Sequence, residues 1–92
     1  MQAQLSNHAR VRMQQRGIRA EALEALLDFG RVAHVDRGLD IVFFDKKARA
    51  RLARSDSRVA REAARLARTY AILGSDGTVI TVGHRYRRIS RI

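Results

Sequence analysis

The feature that most constrains the fold is a pair of hairpin patterns in the chain. Segments 31–36 and 41–45 are rich in Val, Ile and Phe, and a turn-like Arg-Gly-Leu-Asp run separates them. Segments 69–73 and 78–83 repeat the pattern around a Gly-Ser-Asp-Gly turn at 74–77, whose Asp-Gly pair is a strong hairpin signal. Together the two patterns predict an antiparallel sheet of about four strands.

A first helix is predicted before the hairpins. Residues 8–16 contain no helix breaker, Ser6 or Asn7 is a suitable N-cap, and Gly17 stands where a left-handed residue would close the helix. At 100° per residue, one face combines apolar and basic side chains. That face carries Leu5, Ala9, Met13, Arg12 and Arg16, with His8 at its edge.

A second helix is predicted over residues 21–29, with Gly30 in the closing position. Two helices joined by a short link could suggest a helix-turn-helix DNA reader. The charged residues of this second helix are Glu21, Glu24 and Asp28, and it has no basic residue. Phosphate would repel it, so we exclude a helix-turn-helix.

Between the hairpins, residues 46–68 are rich in Ala and Arg and contain neither Gly nor Pro. A Ser-Asp-Ser run at 55–57 offers a cap for a bend or restart, so the segment is one bent helix or two short helices. A single helix would place arginines along one stripe, opposite Leu52, Val59, Ala63 and Leu66. The stripe would be a solvated face or a surface for a polyanion or acidic partner, and comprises Arg54, Arg58, Arg61, Arg65 and Arg68.

The predicted order is helix, helix, hairpin, helical insertion, hairpin. This order indicates an α+β fold and a single small domain over 1–92, with 46–68 as the insertion. We expect the first helix to pack across the sheet beside the final strand, with the histidines near the two ends of the chain converging at one sheet edge.

Charge narrows the choice of partner. The chain has 19 Lys and Arg against 9 Asp and Glu, a formal net charge of +10, and Lys46 and Lys47 are its only lysines. Arginine binds phosphate and carboxylate bidentately, so the excess points to RNA, ribosomes or an acidic protein. A coding sequence rich in G and C also encodes more arginine and alanine, which is the alternative explanation for the excess of arginine.

Composition also excludes several classes of function. The chain has no cysteine, which excludes a disulfide framework, a thiolate nucleophile and a Cys-ligated metal. No apolar run is long enough to span a bilayer and the first residues lack an apolar leader segment, so we expect a cytoplasmic protein. Neither a His-Glu-x-x-His motif nor a close His/Asp pair gives metal-ligand spacing, so no metal or other cofactor is expected.

Two clusters combine imidazole with guanidinium groups, at 8–18 and 82–86. Cutting RNA without a metal requires a base for the 2′-hydroxyl, cations for charge on phosphorus, and an acid for the leaving oxygen. His8 or His84 could be base or acid, although each could equally be structural. The candidates for holding the phosphate are Arg12, Arg16 and Arg85. Tyr86 could donate a proton or stack on a base. Predicted nucleic-acid contacts are Arg10, the five stripe arginines, and Arg87 and Arg88 of the basic tail.

The run H-A-R-V-R-M-Q-Q-R-G-I at 8–18, the acidic-apolar helix and two hairpins ending in T-V-I-T-V-G-H-R resemble the domain-of-unknown-function family 4258. That family is placed near the barnase, colicin and RelE-like endoribonuclease toxins, which share two helices followed by a four-stranded antiparallel sheet. The resemblance implies a metal-independent endoribonuclease toxin with an acidic antitoxin partner. Only the residues within the matching motifs can be compared with the family, and these are His8, Arg10, Arg12, Arg16, His84 and Arg85. The insertion at 46–68 departs from the compact pattern.

Two other interpretations stay open. The arginine stripe could make the chain a non-catalytic RNA- or ribosome-binding module, whose affinity would fall steeply with salt. Alternatively, the chain could be an interaction protein for an acidic partner.

Overall fold

Two helices precede a four-stranded antiparallel sheet in the computed structural model, which describes residues 4–55 and 59–85. This arrangement confirms the predicted α+β class. The elements are α1 (Asn7–Arg16), α2 (Ala20–Phe29), β1 (Arg31–His34), β2 (Asp40–Phe43), α3 (Lys46–Arg54), a 3₁₀ turn (Ala60–Glu62), α4 (Ala63–Leu66), β3 (Thr69–Leu73) and β4 (Val79–His84).

The strands lie in sequence order, β1-β2-β3-β4, and each pairs antiparallel with the next. The first strand ends two residues earlier than predicted, because the turn begins at Asp36, whose carbonyl accepts the Leu39 N–H at 3.1 Å. Arg37 and Gly38 complete this turn with φ of 57° and 76°. The second strand also ends early, because Asp45 is the N-cap of α3 and accepts a hydrogen bond from the Ala48 N–H at 2.8 Å.

Helix α1 packs beside β4, as predicted, and runs in the same direction as this strand. Leu5 forms a parallel bridge with Val79, and the Ser6 hydroxyl donates to the Ile80 carbonyl at 2.8 Å. The same hydroxyl caps α1 by accepting the Ala9 N–H at 3.0 Å. The start of α1 is thereby fixed to the start of β4, so both elements end at the same end of the sheet.

The insertion forms short helical segments rather than one long helix. Helix α3 ends at Ser55, and a 3₁₀ turn and the single-turn α4 follow. A continuous arginine stripe therefore does not form: Arg54 belongs to α3 and Arg65 to α4, while Arg58 lies outside the described residues. The predicted apolar side does face the core, since Leu52, Val59 and Leu66 are buried there.

The hydrophobic core lies between the helices and one face of the sheet. Helix α2 has an apolar side that is almost fully buried, as its moderately amphipathic sequence requires. Val42, Ala71 and Val82 meet it from three neighbouring strands, in register. The largest side chains fully buried in this core are Leu26, Phe44 and Leu52.

Gly30 ends α2 for a steric reason. Its N–H donates to the Leu26 carbonyl at 2.7 Å, but its φ of −70° is ordinary rather than left-handed. A Cβ there would lie 2.5 Å from the Leu26 carbonyl oxygen and 2.8 Å from Val42 Cγ1. Glycine is therefore required because α2 approaches β2 closely.

We expect Gly30→Ala to lower the free energy of unfolding by about 1–3 kcal/mol, because the added methyl meets rigid backbone in a packed core. Urea denaturation measures the loss. Gly74→Ala is the matched control, because its Cβ would meet only side-chain atoms, the nearest at 3.3 Å. Equal losses in the two variants would contradict the steric explanation.

Candidate active site

A cleft of about 170 Å³ opens where α1 and β4 end together. Five elements and one link meet there: the end of α1, the link to α2, the first turn of α2, α4, the start of β3 and the end of β4. The residues that line the cleft are Arg16, Gly17, Ile18, Arg19, Ala22, Arg65, Leu66, Thr69 and His84.

Three arginines give the cleft its positive charge. Arg16 is the last residue of α1, Arg19 precedes the first residue of α2, and Arg65 lies in α4. Two of these arginines pair with Glu62. Its carboxylate accepts a hydrogen bond from Arg19 Nη2 at 2.6 Å and another from Arg65 Nη1 at 3.1 Å. Because each guanidinium has five N–H groups, both arginines retain donors for an anion. Arg16, Arg19 and Arg65 are called the cleft arginines below.

The Arg16 guanidinium has no hydrogen-bond or ion-pair partner in the described part of the chain. Its guanidinium lies over Gly83, where a Cβ would overlap Arg16 Nη1 and lie 3.1 Å from the Tyr70 hydroxyl. In the structure, the group that approaches this glycine is the Arg16 side chain.

His84 and Thr69 face each other across β3 and β4. The Arg85 N–H donates to the Arg68 carbonyl at 2.7 Å just beyond them, so the two form a non-hydrogen-bonded pair, in which opposite side chains lie closest. His84 is partly exposed in the cleft, and its imidazole has no hydrogen-bond partner among residues 4–55 and 59–85. His84 is the one residue lining the cleft that carries an imidazole, a group that can accept or donate a hydrogen bond through its ring nitrogens.

His8 lies at the other end of the α1–β4 pair. It is exposed, and its Nε2 accepts a hydrogen bond from Arg12 Nε at 3.4 Å. Ile80 lies beside the start of α1, and His84 is four residues further along β4, a span of about 13 Å. This corrects the expectation that the two histidines converge: Arg16 and His84 line the same cleft, whereas His8 and Arg12 do not.

Arg85 also lies outside the cleft. Its Nη2 donates to the Phe44 carbonyl at 2.7 Å, and its guanidinium lies 5.6 Å from the centre of the Phe43 ring. Burial, and secondarily the positive charge of Arg49, lower the pKa of the Arg85 guanidinium. These contacts tie the end of β4 to β2.

The other predicted contacts are spread over the surface. Arg10, Arg54, Arg61 and Arg68 are exposed and do not line the cleft, whereas Arg65 does. Tyr86, Arg87 and Arg88 lie outside the described residues, as Arg58 does.

Sequence reasoning missed Arg19 and Thr69. Arg19 follows the Gly-Ile link that ends the first motif, and Thr69 opens the second hairpin beside a predicted arginine. Neither position has a pattern of its own that signals a site.

The described ranges contain no cluster of three or more His, Asp or Glu side chains that could hold a metal ion. Over the same ranges, no helix is long and apolar enough to span a membrane. With the groups present, the cleft can bind an anion through guanidinium donors and transfer a proton through one imidazole.

A protein-family model described as "Domain of unknown function (DUF4258)" matches residues 5–84, from the bridge before α1 to the end of β4. No curated protein and no solved structure was found to match the chain.

Proposed function

The chain belongs to the family Domain of unknown function (DUF4258), and from that premise we propose that it is a metal-independent endoribonuclease of toxin type, with the cleft as its active site. One observation carries the proposal. An imidazole without a hydrogen-bond partner in the described residues shares a small cleft with three guanidinium groups. Phosphodiester cleavage without a metal requires these two kinds of group.

Binding would use the RNA backbone. Guanidinium forks bind phosphate oxygens bidentately, and the formal net charge of +10 attracts a polyanion from a distance. Arg16 is the first anchor, because no described residue neutralises it. Arg19 and Arg65 share a single carboxylate, so the pair keeps one positive charge in excess.

In the chemical step, His84 takes the proton from a ribose 2′-hydroxyl. The 2′-oxygen attacks phosphorus, the bond from phosphorus to the 5′-oxygen breaks, and that oxygen leaves with a proton from water. The products are a 2′,3′-cyclic phosphate and a 5′-hydroxyl end. The cleft arginines stabilise the negative charge that develops on the phosphoryl oxygens.

Kinship with the barnase and RelE-like toxins is part of the proposal. It is supported by the order of elements, two helices and then a four-stranded antiparallel sheet. A cationic cleft of this kind would be blocked by an acidic antitoxin through charge complementarity. Such a toxin would act on RNA in the cytoplasm, either free or associated with ribosomes.

A second candidate is a non-catalytic RNA-binding module. It is favoured by the single imidazole of the cleft and by the exposed arginines of α3 and the 3₁₀ turn. Incubating the purified chain with end-labelled RNA in EDTA separates the two. Fragments that end in 2′,3′-cyclic phosphate are expected from the enzyme, whereas RNA that is bound but intact would support the module.

A further inference from the structure

The cleft contains a polar side chain that the fold does not use. Thr69 is 1% exposed and is the one polar residue among the fully buried side chains of the described chain. Residues 4–55 and 59–85 give its hydroxyl no hydrogen-bond partner, yet the hydroxyl is not among their fully enclosed unpartnered polar atoms, so it borders the cleft. A hydroxyl at the edge of a cleft can hydrogen-bond whatever enters the cleft. Since Thr69 lines the cleft, a bound ligand is the natural partner for the hydroxyl.

The position of Thr69 relative to His84 indicates which ligand atom it meets. The two residues form a non-hydrogen-bonded cross-strand pair, whose Cβ atoms lie about 5 Å apart. A ligand atom that lies between the two side chains can therefore hydrogen-bond both the His84 imidazole and the Thr69 hydroxyl. In the proposed reaction that atom is the ribose 2′-oxygen.

The size and lining of the cleft favour recognition of the sugar and phosphate over recognition of a base. Its volume of about 170 Å³ is below the 300–1,000 Å³ typical of sites for larger organic ligands. No aromatic side chain lines it, so the described cleft offers no surface on which a base could stack.

We propose that the Thr69 hydroxyl hydrogen-bonds the ribose 2′-hydroxyl and so distinguishes RNA from DNA in the cleft. This inference rests on the proposed function, because it takes the cleft as the site of the backbone. Thr69 is thus a specificity-determining residue, separate from the arginines that bind phosphate and from the imidazole that moves the proton. The 2′-hydroxyl can both donate and accept, as can a threonine hydroxyl.

The test compares uridine 3′-phosphate with 2′-deoxyuridine 3′-phosphate, which differ only in the 2′-hydroxyl and contain no bond to cleave. Titration calorimetry or NMR gives their Kd values for the full chain. The wild type is expected to bind the ribonucleotide about threefold to tenfold more tightly, the effect of one hydrogen bond. Thr69→Val should remove this preference, and Thr69→Ser should keep it.

Thermal unfolding separates a binding role from a structural one. Valine has the same shape without the hydroxyl, so Thr69→Val should unfold at the same temperature as the wild type or higher. A marked fall in Tm would assign the hydroxyl to the fold and overturn the inference. Equal Kd values for the two nucleotides in the wild type, or a preference that survives Thr69→Val, would overturn the inference alone. Failure of both nucleotides to bind would overturn the proposed function as well.

Discussion

His84→Gln is expected to slow RNA cleavage by about a hundredfold to ten-thousandfold, the usual contribution of a positioned acid–base group. Glutamine can still form a hydrogen bond, but it cannot take the proton of the 2′-hydroxyl. No other imidazole lines the cleft to replace it. The measurement is the initial rate of cleavage of an end-labelled RNA in EDTA, at protein concentrations above the Kd, so that a change in affinity does not affect the rate.

His34→Gln is the matched control. His34 lies on β1, the edge strand opposite β4, and its side chain is 88% exposed and pairs with Asp40. Its loss should leave the rate unchanged. Equal loss in the two variants would show that histidine content rather than position matters. Loss in His8→Gln with full activity in His84→Gln would place the chemistry at the start of α1 and contradict the proposed site.

A double variant, Arg16→Gln with Arg65→Gln, is expected to weaken RNA binding by about a hundredfold or more, because each lost charge-assisted hydrogen bond is worth about 1.5–3 kcal/mol. It should also flatten the dependence of log K on log salt by about 1.4, since each phosphate contact to single-stranded RNA contributes about 0.7. Both values follow from binding measured at several salt concentrations in the His84→Gln background, where the RNA stays intact.

The control for net charge is Arg31→Gln with Arg37→Gln. Both arginines belong to the first hairpin, at the edge of the sheet farthest from β4, and their side chains are 53% and 90% exposed. This pair removes the same charge as the cleft variant. If both double variants weaken binding equally, the attraction is a property of overall charge and the cleft is not the binding site.

Much of the architecture could be predicted because its signals are local. The Asp-Gly turn defined the second hairpin, and Ser6 and Gly17 delimited α1, where Gly17 adopts φ 64°. The position of α1 beside β4 was expected as well. Local signals failed where packing decides, as at Gly30, which is needed for close contact with β2 rather than for a left-handed turn.

The site was harder to predict, because a helical-wheel pattern reports rotation and not distance along the axis. His8 and Arg16 share a face of α1, yet eight residues of helix separate them by about 12 Å. This distance along the helix axis places His8 near the start of β4 and Arg16 near its end. Arg19 and Thr69 enter the cleft only because the start of α2 and the start of β3 meet at the end of α1, a tertiary fact that no local pattern carries.

The three histidines of the chain provide the most direct test, since they occupy three separate places: the start of α1, the edge strand β1 and the cleft. The measurement is an NMR titration of the imidazole C–H resonances of the wild type with uridine 3′-phosphate at fixed pH. If the cleft binds the RNA backbone, the resonances of His84 move and saturate while those of His8 and His34 stay in place. Movement at His8 or His34 with His84 unchanged would contradict that assignment.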